Sequence, residues 1–344
     1  PHNQDILYLG GNKLMRSMNQ GDDWEAISDD LTTGGKKGNV AYGTITTVSE
    51  SPFQFGLLYT GSDDGYVYVS KDAGGSWWRI SDSFPKDLWV SRVVASQHKE
   101  ARVYVTLNGY RWDDFNVYVY RSDDYGRTWK NISGNIPMSP VNVIREDPVN
   151  ENTLYVGTDN GAYVSFNGGN SWELFSKGLP NVAFHDIVIQ DKANDLLLGT
   201  HGRSIYRADL DVIQAYGKAI PRKPITVFDM DAVQSSRRWG SSWSQWNDAF
   251  EPSTNVVFYA NSKGNQTLKI MSENGTELHK QSVDADKGFN FISYDLTMSE
   301  AGKKGLMKND SSLNIRKAQN GKYYLPKGMY TVQVGTEKTQ LEIK

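Results

Sequence analysis

Along the first 210 residues, apolar and polar positions alternate with period two in short runs, and clusters of Gly, Asp and Asn separate the runs. This is the pattern of half-buried strands joined by tight turns. "LLYTGSDDGYVYVS" (57–70), "RVYVTLNGYRWDDFNVYVYRS" (102–122) and "TLYVGTDNGAYVS" (153–165) share one order: a β-rich run, a Gly/Asp turn, then alternating aromatic and β-branched residues. Such segments predict hairpins. A further short apolar run precedes each: "YGTITTV" (42–48), "VSRVVAS" (90–96) and "VNVIRED" (141–147).

Each hairpin runs into the same turn. S-x-[DN]-x-G-x-[STD]-W begins at Ser17, Ser70, Ser122 and Ser165, so it returns after 53, 52 and 43 residues. A period of roughly 40–50 residues marks a propeller or a similar array. Within the turn, Asn19, Asp72, Asp124 and Asn167 can bond nearby backbone N–H groups. Gly21, Gly74, Gly126 and Gly169 can take a positive φ at little steric cost. Trp24, Trp77, Trp129 and Trp172 are expected to start a fourth strand and to bury about 200 Å² each between neighbouring sheets. One unit thus reads as four antiparallel strands, with the Trp turn joining the third to the fourth. That is one propeller blade.

Residues 42–81, 89–133 and 140–176 give three complete blades, while 6–28 and 183–210 give three strands each. The expected fold is therefore all-β, with residues 1–210 forming about five blades, two of them incomplete. A ring must close to remove its sheet edges, which predicts a seven-bladed ring completed by an upstream N-terminal part of the same propeller. A self-contained five-bladed ring is the alternative. Residues 211–252 read as a connector with a short helix and a Trp-rich segment, and 253–344 as a small Ig-like β-sandwich with Asn-Gly turns.

The four turns resemble the Asp-box, or bacterial-neuraminidase repeat, of sialidases, two-propeller xyloglucan-cleaving enzymes, sortilin-type receptor domains and a photosystem assembly factor. In those families the box lies away from the catalytic or ligand face, which implies a structural role for its residues here. More widely, "GSDDGYVYVSKDAGGSW", "WVSRVVAS", "LYVGTDNGAYVSFNGG" and "DLLLGTHGRSIYRADL" look like a family of large exported bacterial proteins common in Bacteroidetes. Its members carry sortilin-like Asp-box propellers. The tail, "KGFNFISYDL" and "LPKGMYTVQVG", resembles the Ig-like module, similar to the flagellar-hook-cap fold, that closes those proteins. The resemblance covers nearly the whole chain and implies architecture and export, but hardly a reaction.

Bulk properties narrow the choices. At 344 residues, two or more domains are expected. Ten Trp and 19 Tyr favour pleated sheet. A net charge of −3 argues against a nucleic-acid partner, since phosphate affinity requires a basic surface. No apolar run approaches the ~20 residues of a membrane span. The absence of Cys excludes disulfides and thiol chemistry. The chain opens at Pro1 with no signal peptide, which predicts a piece of a longer precursor that is secreted, periplasmic or on the bacterial surface.

Glycoside hydrolysis needs two carboxylates facing a sugar, roughly 5–9.5 Å apart. Asp63, Asp64, Asp113, Asp114 and Asp159 stand at strand–turn positions, yet bonding within their own turns is sufficient reason for each. In "GTHGRSIY" (199–206), His201 is a candidate general acid/base, a role imidazoles often fill, and Arg203 could clamp an anionic sugar or a carboxylate terminus. A tight turn explains the same string. "GYRWDDFNVYVY" (109–120) is longer than its counterparts, so Tyr110, Arg111, Trp112, Asp113 and Asp114 are expected to protrude from one face as a glycan or peptide contact. The bland reading is a plug between blades. For Trp239, Trp243 and Trp246, the burial tendency of Trp favours docking anchors over an exposed sugar-stacking platform. With five scattered His and no calcium-loop spacing, no metal or cofactor is expected. The expected function is an exported, non-catalytic scaffold that binds protein or glycan through one face of the ring. The alternative is a sialidase-like or xyloglucanase-like glycoside hydrolase with acid/base carboxylates on that face.

Overall fold

A computed structural model of the chain describes residues 2–34, 42–176, 179–218, 223–244 and 246–344. Pro1, on which the expectation of a longer precursor turned, lies outside them. The chain divides into two compact units, Pro1–Lys218 and Ala219–Lys344.

In the first unit each alternating run becomes a strand, and consecutive strands pair antiparallel. The first sheet holds β1 (Leu7–Gly10), β2 (Leu14–Ser17) and β3 (Glu25–Ala26). The second holds β4 (Ile45–Glu50), β5 (Leu58–Ser62), β6 (Val67–Ser70) and β7 (Trp78–Arg79). The third holds β8 (Trp89–Ala95), β9 (Val103–Gly109), β10 (Asp114–Ser122) and β11 (Lys130–Asn131). The fourth holds β12 (Val141–Glu146), β13 (Leu154–Thr158), β14 (Gly161–Ser165) and β15 (Glu173–Leu174). The fifth holds β16 (Phe184–Gln190), β17 (Asp195–Thr200) and β18 (Ile205–Asp209), and helix α1 (Asp211–Lys218) follows. The opening strands β4, β8, β12 and β16 pack in succession, and each of the first three sheets shares a buried apolar layer with the next. Sheets stacked through their first strands are the build of a propeller.

The repeated turn does two things at once. Within itself, the Ser Oγ accepts the Gly N–H four residues on (2.8 Å at Ser17, 2.9 Å at Ser70, 2.8 Å at Ser122 and 2.9 Å at Ser165). The Asx oxygen accepts the N–H of the residue before the Trp. Between sheets, the indole N–H donates backwards: Trp77 to the Ile27 carbonyl (2.9 Å), Trp129 to Ile80 (2.8 Å) and Trp172 to Ile132 (2.8 Å). Gly74, Gly126 and Gly169, all at positive φ, lie flat against those same isoleucines. Trp24, in the first sheet, instead bonds Gly21 of its own turn and stays 39% exposed, so the expected burial does not hold there.

The second unit places β19 (Ile225–Val227), β20 (Thr254–Ala260) and β23 (Gly288–Tyr294) in one sheet. A second contains β21 (Gly264–Ser272), β22 (Glu277–Ala285), β26 (Gly328–Val334) and β27 (Glu337–Ile343). Phe258, Leu268, Ile270, Val332 and Leu341 belong to one core shared by the two. β24 (Thr297–Met298) pairs with β25 (Tyr323–Tyr324). Strand β19 lies within the stretch read as connector. Helix α2 (Glu300–Asn309), in a region read as strands and turns, is a departure from expectation. Ser299 caps it by accepting the Gly302 N–H, and Gly302 lets the helix press on the Leu278 backbone. Trp239 packs on this core, but Trp243 and Trp246 are 82% and 85% exposed, against the expectation that they anchor the connector.

Candidate functional site

Antiparallel alternation puts the hairpin turns β5–β6, β9–β10, β13–β14 and β17–β18 at the end of the array where β4, β8, β12 and β16 begin. The Trp turns lie at the other end. The candidates selected within the first unit therefore share one end, with Tyr110–Asp114 on the third sheet and His201 and Arg203 on the fifth.

The acids at this end are mostly engaged in shaping it. Asp63 is buried and accepts the Gly43 and Thr44 N–H groups, both at 2.9 Å. Asp64 accepts the Thr33 N–H and hydroxyl, both at 2.7 Å, and the Ser62 hydroxyl. Asp159 accepts from the Asn142 amide at 2.8 Å, and Asn142 accepts in turn from Asn108. Asp114 accepts the Asn116 N–H and side-chain amide and the Tyr118 hydroxyl. Burial alone would raise the Asp114 carboxyl, but those hydrogen bonds outweigh it and hold it below the ordinary carboxylate value. Asp113 is exposed, at φ 55° on the tip of the loop.

The loop itself is a 3₁₀ turn, Tyr110–Trp112, held from beneath. The Trp112 indole donates to the Asp87 carbonyl (2.8 Å), which also accepts the Tyr42 hydroxyl (3.0 Å). The Arg111 guanidinium stands 5.3 Å from the centre of the Trp89 ring and 3.9 Å from the Asp63 carboxylate. Tyr110 is 62% and Trp112 50% exposed, with Phe115 exposed beside Tyr110, edge to face. The result is a fixed aromatic ledge. On the fifth sheet, the exposed His201 ring meets the His185 ring edge to face with centres 5.4 Å apart. Arg203 is exposed and makes no ion pair among the described residues. Nor do three His, Asp or Glu side chains gather as metal ligands would among the described residues.

Sequence reasoning missed two features. Each opening strand carries a bulge at the same place, with Thr46, Ser91, Asn142 and His185 the extra residues. Thr46 donates to the Val90 carbonyl (3.1 Å) and Ser91 to the Val141 carbonyl (2.7 Å), which ties sheet to sheet. The signal was present, as a polar residue early in each apolar run. The second feature is an ion cluster: Arg92 reaches Asp186 at 2.8 Å and Arg145 reaches it at 3.6 Å. Burial and the charge of Arg92 lower the Arg145 pKa, and Asp186 only partly offsets them.

The stacked antiparallel sheets define an all-β protein of propeller type. No family model matches the chain, and no curated protein does. Among solved structures it is similar to a GH74 xyloglucanase from Xanthomonas campestris, with 12% identity and a TM-score of 0.46 over 99% of this chain and 52% of that one. It is similar to a GH74 enzyme from Niastella koreensis, with 17% identity and a TM-score of 0.46 over 99% and 55%. The extracellular domain of a hybrid two component system from B. thetaiotaomicron matches with 10% identity and a TM-score of 0.44 over 100% and 43%. The chain spans about half the length of the proteins it resembles.

Proposed function

We propose that the chain is the propeller-and-sandwich part of an exported bacterial protein, and that it binds glycan without cleaving it, at the end of the array bearing residues 109–114. The observation that carries this reading is the ledge of Tyr110 and Trp112, open to solvent yet fixed by the Trp112–Asp87 bond. Flat rings held in advance bind sugar faces at a low entropic cost. Hydrolysis would need a second free carboxylate beside Asp113, whereas Asp63, Asp64, Asp114 and Asp159 already accept structural hydrogen bonds. In this reading the repeated turns are Asp-boxes, the second unit is an Ig-like module, and the array is completed as a seven-bladed ring by an upstream segment of the same protein.

The test is calorimetric titration of the chain with xyloglucan oligosaccharides and sialyl-lactose, alongside assays for released sugar. Binding without turnover that Trp112→Ala weakens about tenfold supports the reading, since a stacked aromatic contributes on the order of 1–3 kcal/mol. Turnover abolished by Asp113→Ala or Asp114→Ala replaces it with the hydrolase.

A further inference from the structure

A second recess lies at the opposite end, between the outer strand β7 and the Trp turn of the third sheet. It is a cleft of about 590 Å³, a size ordinary for small-ligand sites, and its walls include Lys71, Trp78, Arg79, Asp82, Tyr125 and Arg127. Three cations and one acid line it. Arg79 is matched to Asp82 at 2.6 Å. Lys71 and Arg127 form no ion pair among the described residues. The Lys71 ammonium lies 3.6 Å from the centre of the Tyr125 ring, and the Tyr125 hydroxyl donates to Glu100 at 2.7 Å. Burial and then the neighbouring Arg127 lower the Lys71 pKa, although Glu100 works the other way. Lys71 and Arg127 thus line one cleft without an ion pair among the described residues, beside a Trp78 ring that is 52% exposed.

We infer that this cleft binds a carboxylate-bearing saccharide, a uronic-acid unit whose apolar face lies on Trp78 and whose carboxylate meets Lys71 and Arg127. Cations lining a recess favour an anion, and a guanidinium matches a carboxylate in shape as well as charge. An exposed indole suits the flat C–H face of a sugar ring. The Arg79–Asp82 pair and Ser83 supply donors and acceptors for hydroxyls. An acidic peptide fits less well, because β7 is only two residues long and offers little edge for a strand to extend. The inference does not rest on the reading of the 109–114 loop.

The experiment is titration of the 344-residue chain, followed by tryptophan fluorescence and calorimetry, with tri-galacturonic acid, neutral galactotriose and a Glu-rich hexapeptide. Tri-galacturonic acid is expected to bind at least tenfold more tightly than the other two. Lys71→Gln and Arg127→Gln are each expected to weaken it about tenfold, the loss of one charged hydrogen bond. Trp78→Ala is expected to weaken it comparably. Arg127 and Trp78 are exposed, so those two variants decide the matter even if Lys71→Gln disturbs folding. Equal affinity for the acidic and neutral sugars, tighter binding of the peptide, or indifference to Arg127→Gln and Trp78→Ala overturns the inference.

Discussion

Gly126→Ala is the sharpest probe of how the array holds together. Gly126 sits at φ 88°, and a Cβ built there would lie 2.4 Å from Ile80 Cδ1 and 3.0 Å from Ile80 Cβ. Two costs follow. A left-handed backbone with a Cβ costs about 1–2 kcal/mol, and overpacking adds about 1–3 kcal/mol. The expected destabilisation is therefore about 2–5 kcal/mol. Gly202 is the control, because at φ 68° it has nothing within 4 Å of a built Cβ, and Gly202→Ala bears only the backbone cost. Ile80→Val removes the atom struck first, at a cost of about 0.5–1.5 kcal/mol on its own. The double variant Gly126→Ala/Ile80→Val should then recover about 1–2 kcal/mol relative to additivity, within the range seen for touching residues. Urea unfolding followed by tryptophan fluorescence, fitted as two transitions because the chain has two units, measures all four. If Gly126→Ala is no costlier than Gly202→Ala, or if the pair is additive, sheet-to-sheet contact at the glycine is not what the turn provides.

Trp172→Phe keeps a ring but strips the donor from the buried Ile132 carbonyl, so it should cost about 1–3 kcal/mol, whereas Trp24→Phe, losing a bond within its own exposed turn, should cost well under half as much. The same unfolding assay separates them. At Asp124, burial would raise the carboxyl, but the Thr128 hydroxyl and amide and the Ser122 hydroxyl bring it from 3.8 down to about 2. A depressed folded value means stability that is present above the unfolded value and lost as pH falls through the folded one. Asp124 should thus contribute to acid unfolding between about pH 4 and pH 2. Asp124→Asn should flatten that part of the profile while folding normally, since Asn19 and Asn167 fill the same place in other turns.

Much of the first unit was legible because strand alternation and turn chemistry point the same way. The Ser–Asx–Gly–Trp order even encodes its own hydrogen bonds. What the sequence hid was anything assembled from separated pieces. The acceptor of each indole is a backbone carbonyl in the preceding sheet, a group that has no letter in the alphabet. The cleft beside Trp78 takes Lys71 and Arg127 from two copies of the repeated turn, at variable positions of the motif that give no sign of facing one recess. At the candidate face, the exposure of Tyr110–Asp113 was readable from loop length, but not the half-burial of Asp114 at the start of β10 nor the Trp112–Asp87 bond that steadies the loop. Helix α2 was obscured by Gly302 and Gly305, each costing a helix about 1 kcal/mol, which packing against the neighbouring strand offsets. Trp243 and Trp246 run against the general burial of indoles, a statistical tendency that no local pattern could correct.

The bonds from Trp77, Trp129 and Trp172 cross 50, 49 and 40 residues, and every one points toward an earlier part of the polypeptide. As the chain leaves the ribosome or crosses a membrane from its N-terminus, each indole meets an acceptor that has already been delivered. Assembly can then proceed like a ratchet, each wedge fastening onto the last before the next arrives, and none of these three bonds waits for a later residue.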